Sequence, residues 1–179
     1  MYPDISVEPV HGFTGAQLHD LESEKLDFGF ITGPFERPGY RSVTVQRDSF
    51  VAVFYENHPL AKKESIQLSE LAEEQFILGS EAAWKHYHDH LFRICRGAGF
   101  VPDIVQQAFN IEGVFGLVAC EMGITIQVTS VYNYLRKGLV VRPINGIKDI
   151  VPTMAVWKHR CELSTQQTFA KFLLDRTTI

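Results

Sequence analysis

The stretch Gly116-Leu117-Val118-Ala119-Cys120-Glu121-Met122-Gly123-Ile124-Thr125 decides how this chain folds. Ile111 to Glu121 reads as a helix, Gly123 stands where a stopping helix wants a left-handed C-cap, and Ile124 to Val128 follows as a short apolar strand. A helix that turns straight into a strand is the repeating step of an α/β fold, and the rhythm extends both ways. Upstream, Ile104 to Phe109 is the preceding strand. Gln75 to Gly79 is another, followed by a helix from about Trp84 to Arg96 that ends at Gly97 and Gly99. Ser49 to Tyr55 is an apolar strand stopped by Asn57-His58-Pro59, and Gln67 to Glu73 a short helix. Nearer the start, Ile5 to Val10 alternates as a strand should. Leu18, Leu21 and Leu26 recur near helical spacing, and Leu26 to Ile31 reads as a buried strand ended by Gly33-Pro34. Downstream, Leu139 to Pro143 and Thr153 to Trp157 are further strands. Ser164 to Asp175 is a terminal amphipathic helix with Ser164 as its N-cap. The order predicts an α/β fold with mainly parallel strands.

The 179 residues suffice for one ordinary domain or for two small lobes sharing a hinge. A composition of 45% hydrophobic and 21% charged residues, with a mean hydropathy of −0.04, excludes a disordered chain and a membrane protein. Apolar runs such as Val114 to Cys120 stop well short of the roughly 20 residues that cross a bilayer. The first residues carry no basic and then apolar pattern, so no secretory signal is expected. Cys95, Cys120 and Cys161 are widely spaced and odd in number, which favours a reducing cytoplasm and small packing roles over a metal or nucleophile. A net charge of −4 with scattered basic residues argues against a nucleic-acid surface.

Three turns have the chemistry of polar-ligand sites. Thr14-Gly15-Ala16-Gln17 fits a capping box, with Thr14 as N-cap, Gln17 at the third helical position and Phe13 before it as a staple. The first amides of that helix would carry partial positive charge, and Gly15 would let a carboxylate approach them. Gly79-Ser80-Glu81 and Asn110-Ile111 are strand-to-helix turns of the same kind. In most proteins such residues only cap a helix, worth about 1 kcal/mol. His86 and His90 share a helix face four residues apart, but no glutamate or distant ligand set accompanies them, so a solvated face is expected rather than a metal site. With no G-x-S-x-G elbow, no paired nucleophile and base, and no P-loop, the sequence predicts neither an enzyme nor a cofactor.

Several segments, in order, resemble the effector-binding domain of LysR-type bacterial transcriptional regulators. They are Tyr2-Pro3-Asp4-Ile5, the run from Gln17 to Phe30 (Q-L-x-x-L-x-x-x-x-L-D-x-G-F), His58-Pro59-Leu60-Ala61, Ile66 to Leu71, and the stretch from Gly116 to Thr125. The resemblance runs over essentially the whole chain. It implies a periplasmic-binding-protein-like (type II) α/β fold: two Rossmann-like lobes with a hinge, and a small-molecule effector in the cleft between them. The first lobe would be 1–47 with 152–179, lacking the family's first strand and helix and so weakened, rearranged or paired with another chain; the second would be 48–151. The family also leads one to expect a proline after Gly123-Ile124, where this chain has Gln127-Val128-Thr129.

Carried over position by position, the resemblance places Thr14, with Phe13 and Gly15, at an effector carboxylate. Ser80, Asn110 and Ile111 fall at the second lobe's turns, and Trp84 and Tyr87 along the wall. Thr32 stands where some relatives carry an arginine. The implied function is a cytoplasmic regulatory domain, homodimeric or homotetrameric, that meets DNA only through a domain absent from this chain and touches no membrane. A solute-binding protein of a transporter is the alternative on the same fold type.

Overall fold

The computed structural model describes residues 5–160 and 163–177; Tyr2-Pro3-Asp4 and Cys161 lie outside them. In chain order the elements are α1 (Thr14–Glu22), β1 (Phe28–Thr32), β2 (Tyr40–Asp48), β3 (Phe50–Tyr55), β4 (Ile66–Gln67), β5 (Gln75–Gly79), α2 (Glu81–Gly97), β6 (Asp103–Ala108), α3 (Ile111–Ala119), β7 (Thr125–Val128), β8 (Leu139–Asn145), β9 (Val151–Lys158) and α4 (Ser164–Thr177). They form two compact units, Met1–Arg47 with Pro152–Ile179, and Asp48–Val151.

In the second unit the strands lie in the order β4-β8-β3-β7, and β5 pairs with β6. A parallel bridge from Phe76 to Ile124, just before β7, joins the two sets. Strands β4, β5, β6, β7 and β8 therefore share one direction, and β3 runs antiparallel to both β7 and β8. The mainly parallel expectation holds here apart from β3. Both faces of the sheet are covered, which is why β3 reads as one continuous apolar run. Phe50, Ala52 and Phe54 join Phe76, Leu78, Leu91 and Ile94 beneath α2, while Val51 and Val53 join Ile77, Val114, Phe115 and Val118 beneath α3. Each such fully buried large side chain contributes about 1.5–3 kcal/mol. The helix expected from Gln67 to Glu73 is a single 3-10 turn, Leu68–Leu71, capped reciprocally by Gln67 and Glu70.

Within Gly116 to Thr125 the left-handed residue is not the one expected. Helix α3 ends in a Schellman pattern in which Met122 N–H donates to Leu117 O and Glu121 N–H to Val118 O. Glu121, with φ of 60°, takes the left-handed position expected of Gly123. Gly123 is required for a different reason. Its φ is 151°, and a Cβ there would lie 2.6 Å from the Gln75 carbonyl oxygen, which accepts from Ile124 N–H.

The first unit is a sheet in the order β1-β9-β2, with β1 antiparallel to β9 from Phe28↔Trp157 to Thr32↔Thr153. Here the parallel expectation fails. α4 covers one face through Ala170 and Leu173 on Phe28, Ala155 and Trp157; α1 covers the other through Leu21 on Ile31 and Val156. Ser164 is the first helical residue of α4 rather than its cap. The strand expected at Ile5 to Val10 is not formed. That segment has no ladder partner among the described residues, and Val7 and Val10 are exposed. The edge of β1 away from β9 is instead closed by side chains of α1. Gln17 Nε2 donates to Phe30 O at 3.0 Å, Gln17 Oε1 accepts from Phe30 N–H at 2.7 Å, and Thr14 Oγ1 accepts from Thr32 N–H at 3.1 Å. Two side chains thus satisfy edge backbone groups as a neighbouring strand would.

Candidate functional site

The α1 turn lies one residue away from its expected register. Phe13 is the N-cap, without a side-chain cap bond, and Thr14 is the first helical residue. The capping box fails because both of its side chains are committed elsewhere: Thr14 to Thr32, and Gln17 to Phe30 and, through Nε2, to Gly12 O at 2.6 Å. The amides of Thr14, Gly15 and Ala16 belong to the first turn, where a helix offers no acceptor. Gly15 is exposed, and a Cβ there would meet nothing within 4 Å. The glycine is therefore not demanded by packing. The Thr14 hydroxyl accepts one bond and keeps its proton to donate. Phe13 packs edge-on against His11, with ring centroids 5.6 Å apart. Thr32, half-buried, ends β1 and holds Thr14 in place.

The second unit brings its two turns together: Ser80 N–H donates to Ala108 O at 2.8 Å, which ties the start of α2 to the end of β6. Ser80 is the N-cap of α2 but makes no side-chain cap bond, which leaves its hydroxyl uncommitted among the described residues. Asn110 caps α3 as its position suggests, Oδ1 accepting from Gly113 N–H at 2.9 Å. Its amide group is left to donate, and half-buried Ile111 follows it as an apolar neighbour. Glu81 is exposed.

Trp84 and Tyr87 meet edge to face at 5.7 Å, but Tyr87 is occupied by the fold. Its hydroxyl donates to Ile126 O at 2.9 Å, and burial raises its pKa well above the ordinary tyrosine value, so it stays protonated. His86 is exposed on the face it shares with half-buried His90. His88 is buried, and its Nε2 donates to Gly79 O at 2.9 Å, while His90 Nδ1 lies 3.2 Å from Arg93 Nη2. Among the described residues no group of three or more His, Cys, Asp or Glu side chains could hold a metal. Sequence reasoning missed His88 because its partner is a backbone carbonyl. It also missed buried Asp48, which accepts from Thr129 Oγ1 at 2.6 Å and Ser130 N–H at 2.9 Å. No local pattern marks either one.

A groove of about 650 Å³ lies elsewhere in the second unit, between Leu68, Ile94 and Ile147. Part of its polar rim is already paired, Arg93 with Asp149 at 2.7 Å and Asn145 with Ser65 at 2.8 Å. The turns, with their uncommitted donors, are the better candidate.

The family model for the LysR substrate binding domain matches residues 1–178. The chain belongs to this family. Its similarity to the LysR regulators extends to the HTH-type transcriptional regulator AlsR of Bacillus subtilis (strain 168), at 27% identity over 82% of this chain and 49% of that protein. The C-terminal domain of a probable LysR family transcriptional regulator from Rhodococcus sp. RHA1 superposes with a TM-score of 0.80 at 26% identity, covering 97% of this chain and 86% of that one. The effector binding domain of QuiR in complex with shikimate does so with a TM-score of 0.82 at 26% identity, covering 98% and 83%. The fold is thus the periplasmic-binding-protein-like type II α/β fold of LysR effector domains. The chain spans about half the length of the curated relatives it matches. No helix among the described residues is long and apolar enough to cross a membrane.

Proposed function

We propose that this chain is the effector-binding regulatory domain of a LysR-type transcriptional regulator and takes a small carboxylate. The observation that carries the reading is the first turn of α1, whose amides lack intrahelical acceptors, beside an exposed Gly15 with nothing within 4 Å of its Cβ position and a Thr14 hydroxyl that keeps its proton to donate. In this reading the first unit offers Thr14 and Gly15 to the carboxylate, with Phe13 and Thr32 as apolar or positioning contacts. The second unit, taken by itself, offers Ser80 and Asn110 as donors to polar groups of an effector, with Ile111 as an apolar contact and Trp84, which touches Tyr87, bordering the turn. The domain binds and does not catalyse. In the whole regulator a segment outside this sequence contacts DNA, the protein works in the cytoplasm as a homodimer or homotetramer, and effector binding shifts its conformational equilibrium by about 1–3 kcal/mol. The matches to transcriptional regulators and to a shikimate-bound effector domain support this reading over a transporter's solute-binding protein.

Thermal-shift screening of the purified chain against aliphatic, aromatic and hydroxylated cyclic carboxylates, followed by calorimetry, tests the proposal. A ligand that raises the Tm should bind Thr14→Ser nearly as well as wild type. Thr14→Val, which lacks the hydroxyl, should bind it about tenfold more weakly. Equal affinity for wild type and Thr14→Val would place the carboxylate elsewhere.

A further inference from the structure

Trp84, on α2, packs its indole against the last residue of β5. Side chains alternate along β5, so Gly79 shares the face of Ile77, beneath α3, while Phe76 and Leu78 share the face beneath α2. The Trp84 indole lies so close against Gly79 that a Cβ built there would overlap its ring atoms. The ring has lapped over the carboxyl end of β5, next to the junction of Ser80 with Ala108. Ligand crevices of open α/β sheets form at such strand ends.

Two features distinguish this indole from a fixed wall. Its Nε1–H is buried with no hydrogen-bond partner among the described residues, whereas a buried tryptophan N–H usually finds an acceptor. Trp84 also breaks α2, with φ −111° and ψ 21°, so the turn from Glu81 to Ala83 is set apart from the rest of the helix at the residue that bears the ring. The seat is therefore occupied by a side chain with an unmet donor, mounted at a joint.

We propose that Trp84 is a displaceable plug over the Gly79–Ser80 turn, which an acceptor oxygen on the effector draws aside by accepting its indole N–H. The inference rests on the reading that Ser80 and Asn110 donate to polar groups of a small carboxylate effector. It adds that the unliganded site is self-occluded and that the effector must carry an acceptor oxygen within reach of Nε1.

Calorimetry with sodium benzoate and sodium shikimate on wild type, Trp84→Phe and Trp84→Ala separates a plug from a wall. Removing the ring opens the seat, so Trp84→Ala should bind about tenfold more tightly than wild type. Trp84→Phe keeps a ring but loses the unmet N–H, so it should bind about tenfold more weakly. The order wild type, then Phe, then Ala in falling affinity would make Trp84 a wall and overturn the proposal.

A second arm needs no ligand. In ¹⁵N–¹H spectra the Trp84 indole signal, assigned by its loss in Trp84→Phe, should have the shift of an unbonded N–H. In Gly79→Ala, which evicts the ring, that proton should exchange rapidly with water, and acrylamide should quench the indole several-fold more strongly. An unmoved signal in a folded Gly79→Ala, with folding checked by circular dichroism, would also overturn the plug. If neither probe binds any variant, the carboxylate-site reading fails by itself and the spectroscopic arm still decides the plug.

Discussion

Gly15→Ala should move stability and ligand affinity in opposite directions. Gly15 is the second residue of α1, it is exposed, and a Cβ there would meet nothing within 4 Å. Alanine in a helix is favoured over glycine by about 0.5–1 kcal/mol, chiefly because the unfolded glycine has more freedom to lose. For a chain of 179 residues, that gain corresponds to a rise of roughly 1–4 °C in Tm. The same methyl group would stand in the approach to the first-turn amides. Losing one hydrogen bond to a charged oxygen costs about 1.5–3 kcal/mol, or roughly 10- to 100-fold in affinity. Differential scanning calorimetry of the free proteins reads the first effect, and isothermal titration with the best carboxylate from the screen reads the second. A more stable variant with undiminished affinity would refute the assignment of the carboxylate to this turn. A less stable variant would refute the helical, unobstructed geometry at residue 15.

Three other outcomes check the structure itself. Glu121→Gly should raise stability by about 1 kcal/mol, because the left-handed conformation at φ 60° costs a side-chain-bearing residue about 1–2 kcal/mol and glycine's added unfolded-state entropy cancels only part of that; an unchanged or lowered Tm would count against the Schellman turn. Gln17→Leu removes the bonds to Gly12 O, Phe30 O and Phe30 N–H and should destabilise the first unit by about 2–3 kcal/mol. Hydrogen exchange at the Phe30 amide should accelerate accordingly, and slow exchange there would mean that something else closes the edge. Burial pushes the Cys95 thiol up to about 12, while Cys120 is exposed, so in native protein at pH 8 iodoacetamide should modify Cys120 first, as mass spectrometry can show. Because the unfolded thiol ionises near the ordinary 9.0, the stability contributed by keeping Cys95 neutral is present below that pH and declines as pH rises toward 12.

Much of the fold was legible because its signals are local. β5 lies at the expected residues, and α2, α3 and β7 differ from expectation by a few residues at their ends. Helical spacing from Ile111 and the unbroken apolar run of β3 are written within single elements. The candidate turns were legible for the same reason, since Ser80 and Asn110 are caps that their immediate neighbours announce. The failures at α1 and at the start of the chain concern residues whose partners are distant in sequence. Thr14 and Gln17 have the spacing of a capping box, but Phe30 and Thr32 offered them unpaired backbone groups and won both side chains. Ile5 to Val10 alternates like a strand, but alternation supplies no ladder partner.

The sequence by itself determined most of the second unit's element order and the family, because periodicity, caps and ordered motifs are properties of neighbouring residues. Tertiary structure alone decided the strand directions in the first unit, the transfer of the left-handed turn from Gly123 to Glu121, and the position of Trp84 across the end of β5. Those depend on which backbone groups and which empty spaces meet when distant segments pack.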